Sequence, residues 1–181
     1  MNRTPTMPRL PATAQRDGFP RRSARQDSFP RRSARLLLRE PAALTSPVAR
    51  WAVTLLAVVG AALLAWSGVI HLQLWSDGYR GIPVIGPLFL LQGIAGIVLA
   101  AALAAFRRLV LLAAGAVLAA ATAAGLLLSA GIGLFGYVES LAVPYAQTSL
   151  VVEFTSAAVL AAAAAIIGGS RGNPFAPPAR M

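Results

Sequence analysis

The sequence predicts an all-α fold: an antiparallel four-helix transmembrane bundle behind an Arg-rich N-terminal tail that is expected to be disordered. Three observations carry this. Of 181 residues, 57% are hydrophobic, and the mean hydropathy is +0.68. The apolar residues fall into four long runs, at about residues 51–75, 84–106, 109–137 and 148–167. Charge is concentrated outside them: residues 1–50 hold eleven of the sixteen basic side chains, which less Asp17, Asp27 and Glu40 leaves +8.

The sequence pI of 11.8 therefore describes a tail and not the helical domain. A strongly basic chain suggests nucleic acid or a membrane surface as partner, and the apolar remainder selects the membrane, so no nucleic acid is expected. Residues 16–25, RDGFPRRSAR, recur as residues 26–35, QDSFPRRSAR. Such a Pro-, Ser- and Arg-rich repeat buries too little apolar surface to offset ordering entropy, so residues 1–45 are read as a disordered tail. Arg31-Arg32 does not make a twin-arginine export signal. Its apolar run, Leu36-Leu37-Leu38, is cut off by Arg39, Glu40 and Pro41. The tail either contacts anionic lipid or only enforces topology.

Residues 46–169 form the transmembrane domain, followed by a short tail at 170–181. Ser46 and Pro47 read as an N-cap and first-turn proline for the first span. From Trp51 to Trp75, 24 steps of helical rise cover about 36 Å, enough to cross a core of ~30 Å with some tilt. The two tryptophans would mark its interfaces. Helix is how a lipid-exposed backbone satisfies its own polar groups. Small residues at four-residue spacing (Gly96 and Ala100; Ala121, Gly125, Ser129 and Gly133; Ala157, Ala161 and Ala165) allow close helix approach.

Arginine asymmetry sets the expected orientation. The N-terminal tail, the Arg107-Arg108 turn and the C-terminal tail are the basic segments, so both termini are expected in the cytoplasm of a multi-pass plasma-membrane protein. Arg107 and Arg108 then serve as topology and lipid contacts.

The remaining polar residues gather toward the opposite side. By helical rise His71 lies about 6 Å inside Trp75, Glu153 about 9 Å inside Gln147, and Gln92 about 13 Å inside Pro83. Asp77, Arg80 and Glu139 belong to the connecting loops. Ser67 and His71 share a helical stripe, as do Ser149, Glu153 and Ser156. A Glu facing lipid costs several kcal/mol, so Glu153 needs a partner, water or a proton. These observations define a candidate polar cluster of His71, Gln92, Glu153, Arg80, Asp77 and Glu139. His71, Gln92 and Glu153 are expected to converge beneath a lid of residues 76–86, with Arg80 folded over them. The bland alternative is bundle glue, with Pro83 and Pro87 as helix punctuation.

With no Cys, disulfides and thiolate chemistry are excluded. One His, with Glu139 and Glu153 at no ligand spacing, assigns no metal site, and no cofactor or catalytic residue is assigned.

The blocks GVIHLQLW, GYRGIPVIGPLFLLQ, GLFGYVE and PYA…VVE resemble a family of small four-helix integral membrane proteins of high-GC Gram-positive bacteria. The resemblance covers about residues 51–168, with GYRGIPVIGPLFLLQ as its most specific part. It implies four spans and no reaction. The architecture is more loosely similar to DoxX-like membrane proteins.

Three function classes remain. The reading favoured by the sequence is a non-enzymatic scaffold, or an accessory subunit with a membrane-protein partner, which requires a filled bundle. A carrier of a small molecule or ion requires a polar path through the membrane. A membrane enzyme or quinone-site protein requires an outward-facing pocket at His71, Gln92 and Glu153 with a groove for a lipid tail.

Overall fold

The computed structural model describes residues 37–170. It is all-helical, with four helices each long and apolar enough to cross a membrane: α1 (Pro47–Ser76), α2 (Ile85–Ala105), α3 (Leu109–Ile132) and α4 (Pro144–Gly169). Two 3-10 turns, Pro41–Ala43 and Tyr79–Gly81, lie in the connections. The C-terminal tail and the tandem repeat, on which the expected disorder rested, lie outside the described residues.

The helix boundaries follow from local chemistry. The Ser46 side chain accepts from the Ala49 backbone N–H, and Pro47 opens α1, as the sequence indicates. Two spans differ from their sequence boundaries. α3 stops at Ile132 rather than about residue 137, because Gly133 takes φ 81 and breaks the ladder. Leu134–Tyr137 then closes a tight turn with positive φ at Phe135 and Gly136, its backbone bonded both ways. Hydropathy alone continues through Leu134 and Phe135 and misses this. α4 begins at Pro144 rather than 148, since proline preorganises the first turn.

α1 is the organising helix. It packs along α2 on one side and α4 on the other, α3 packs on α4, and α2 and α3 touch little. The α1–α2 contact is backbone on backbone. A Cβ on Gly68 would sit 2.8 Å from the Gly93 carbonyl oxygen, and one on Gly96 would sit 3.0 Å from that of Leu64. Against α4, Gly60 leaves the space that Leu160 fills. In each interface numbering rises on one helix as it falls on the other, so both pairs are antiparallel. The stripe of Ala121, Gly125 and Ser129 does not serve helix packing: Ala121 is exposed, and a Cβ on Gly125 would meet nothing within 4 Å.

The two ends of the bundle differ. The tail end holds a continuous apolar core of Val53, Leu64, Leu103, Leu112, Leu160 and Ile167, joined by Leu44. Residues 39–44, which the sequence assigns to a disordered tail, are part of this end. An Arg39 Nη donates to the carbonyl oxygen of Ser170 at 3.0 Å, and the Arg39 carbonyl accepts from Leu109 N at 2.9 Å. Glu40 pairs with Arg108 at 3.1 Å. The composition of this stretch hid its use: a helix C-terminus presents carbonyls without partners, and a guanidinium satisfies them well.

Candidate functional site

The site lies at the loop end, where the shallow contact between α2 and α3 leaves a cavity of about 460 Å³. α2 contributes Leu88, Phe89 and Gln92; α3 contributes Leu118, Thr122, Gly125 and Ser129. His71 of α1 and Ser149 of α4 complete the wall, and Tyr79, Tyr137, Glu139 and Tyr145 line it from the connections and the start of α4. The volume falls within the range of small-molecule sites, whose walls are mostly apolar with a few placed polar groups.

Each polar side chain is positioned by identifiable structure. His71 is buried, and its Nδ1 lies 2.9 Å from the carbonyl oxygen of Ser67, one helical turn earlier. A carbonyl only accepts, so Nδ1 carries a proton and donates. The ring rests on Phe89 with centroids 5.1 Å apart. Gln92 lines the same cavity, and its Nε2 has no hydrogen-bond partner among the described residues.

Glu153 lies behind this wall. It is fully buried on α4 and accepts the Ser67 hydroxyl at 2.5 Å. Ser67 thus links the two residues singled out in the sequence, through its carbonyl to His71 and its hydroxyl to Glu153. Oε2 of Glu153 and the hydroxyl of Ser156, three residues on, have no hydrogen-bond partner among the described residues. Among the described residues, the single ion pair is Glu40–Arg108 at the tail end, so no arginine neutralises Glu153.

The side of the cavity nearest the loops is closed by a second array. Tyr79 donates to Glu139 Oε2 at 2.8 Å, and Tyr137 OH lies 3.2 Å from the Tyr79 hydroxyl and 3.3 Å from the same carboxylate oxygen. Tyr79 stacks on Phe89 at 4.6 Å and meets Tyr137 edge-on at 5.8 Å. Burial foremost, then its bonds to Tyr137 and Glu139, raise the Tyr79 phenol well above its usual range, so it stays protonated as the donor. Backbone contact fixes the turn that carries it: a Cβ on Gly86 would lie 2.7 Å from the Tyr79 carbonyl oxygen. Glu139 is set by the Leu134–Tyr137 turn, where Ser129 Oγ donates to the Tyr137 carbonyl at 3.2 Å.

The structure divides the expected cluster. His71, Gln92 and Glu139 line one cavity, and Glu153 adjoins it through Ser67. Arg80 is exposed, is not part of the wall, and makes no ion pair among the described residues. The residue of the 76–86 connection that folds over the cavity is Tyr79. Asp77 is exposed, ends α1 and accepts from the Ser76 hydroxyl at 3.2 Å. At the tail end, Arg108 lies over the Phe106 ring at 5.6 Å, Arg107 is half-buried, and Trp51 is largely exposed, whereas Trp75 near the loop end is half-buried. Sequence reasoning missed Tyr79, Tyr137 and Phe89. Their one signal was an aromatic on either side of each loop. Among the described residues, no three His, Asp or Glu side chains are placed to hold a metal ion.

Comparison with protein families, curated proteins and solved structures finds no match to this chain.

Proposed function

We propose that this integral membrane protein is a non-enzymatic binding protein that holds a hydrophobic small molecule in the cavity at its loop end. The cavity between α2 and α3 carries the reading: a filled scaffold has no use for about 460 Å³ of lined space beside an unpartnered amide. The apolar core at the tail end favours holding a ligand over conducting one, since a path across would need polar lining there. A role as an accessory subunit is compatible with this. So is a quinone as occupant, since the Gln92 amide would donate to a carbonyl. The arginine asymmetry supports a plasma-membrane protein with both termini cytoplasmic and the cavity on the outer side.

Native mass spectrometry in mild detergent tests the reading. The wild-type chain is expected to retain a bound hydrophobic molecule. Gly125→Trp, whose side chain would enter the open space beside Gly125, is expected to lose it. Retention unaltered by Gly125→Trp, or no bound molecule in either, refutes the proposal.

A further inference from the structure

Among the described residues that line the cavity, Glu139 is the sole carboxylate, no arginine is present, and His71 bonds through Nδ1 to the Ser67 carbonyl. The phenols of Tyr79 and Tyr137 hold that carboxylate by hydrogen bonds, which orient it without neutralising it. Tyr79, Phe89, Tyr137 and Tyr145 line the same cavity. Ring faces carry negative potential and attract cations within about 6 Å, by roughly 2 kcal/mol when desolvated. A carboxylate beside low-dielectric walls favours a counter-charge, and Glu139 makes no ion pair among the described residues.

We propose that the cavity takes a cationic amphiphile. Its alkylammonium head would sit among these rings against Glu139, and its apolar tail would run along Leu118 and Leu126 toward the gap between α2 and α3. This rests on the binding role proposed above and names the ligand class for it. The same charge disfavours an anionic head, such as a fatty-acid carboxylate.

The test is equilibrium binding to the full chain in nanodiscs of neutral lipid, corrected with empty nanodiscs. Three probes share a twelve-carbon tail: dodecyltrimethylammonium, dodecanol and dodecanoate. The cation is expected to bind about tenfold or more tighter than the alcohol, with dodecanoate weakest. Glu139→Gln should shrink the cation-over-alcohol ratio to about two. Tyr145→Leu provides a second variant that breaks no hydrogen bond described here, and should lower cation affinity severalfold. Equal binding of cation and alcohol, or a ratio unmoved by both variants, overturns the cationic head while leaving the cavity as a hydrophobic site. No saturable binding of any of the three overturns the binding role itself.

Discussion

The Ser67 hydroxyl donates to Oε1 of Glu153 at 2.5 Å, tying α1 to α4 across 86 residues of chain. Both side chains are fully buried, so neither can exchange this bond for one with water. Ser67→Ala should cost about 1–3 kcal/mol, the penalty of leaving a buried acceptor without its donor. Glu153→Gln keeps an oxygen for Ser67 and removes the demand for a counter-charge, so it should be milder than Glu153→Leu. Combining Ser67→Ala with Glu153→Leu should cost less than the sum of the two, because each removes the same bond. Thermal unfolding of the four variants in one detergent checks this. Strict additivity would mean that the bond contributes nothing.

The α1–α2 interface should be intolerant at Gly68, whereas Gly125 of α3, which lines the cavity, should tolerate a methyl group. Gly68→Val drives a side chain into the Gly93 carbonyl, 2.8 Å from the Cβ position, and should cost about 1–3 kcal/mol. Gly125→Ala enters open space and should gain up to about 1 kcal/mol from helix propensity. Melting temperatures of the pair, compared with wild type, should move in opposite directions.

At the tail end, Arg39 should act as a clamp on the last turn of α4. Arg39→Ala removes the bond to Ser170 O and should fray that turn, with a loss of about 1 kcal/mol. The readout is faster amide hydrogen exchange at 166–170 with unchanged protection at the centre of α4.

Among the described residues, two non-glycine residues sit at positive φ, Val84 at 65° and Phe135 at 53°. Both are exposed, so little packing is lost by removing their side chains. Val84→Gly and Phe135→Gly should each raise stability by about 1 kcal/mol through relief of left-handed strain. A lowered melting temperature for either would assign its side chain a contact of its own, for example with lipid.

The four spans, the Ser46 cap and the inward polar stripes were legible in the sequence, because hydropathy length, capping chemistry and helical period are local properties. Ser67, His71 and Glu153 could each be placed at a depth and on a face. What could not be read was which of them touch, since that depends on how α1 crosses its neighbours. The crossing is set by backbone contact at Gly68, Gly93 and Gly96 and by Leu160 against Gly60. The Tyr79–Glu139–Tyr137 array joins two loops far apart in sequence, and no periodicity encodes such a meeting. Arg80 was expected over the site because it is the cation nearest in sequence. The turn at Tyr79–Gly81 instead leaves Arg80 exposed and places its neighbour on Phe89.

The cavity beside Gln92 is proposed to hold a hydrophobic molecule. The most direct test is a structure of the full chain purified in nanodiscs without added ligand, at a resolution that shows side chains. Elongated non-protein density is expected between α2 and α3, beside Gln92 and bordered by Phe89 and Leu118. A cavity filled by its own side chains, with the Gln92 amide bonded to protein, would contradict it.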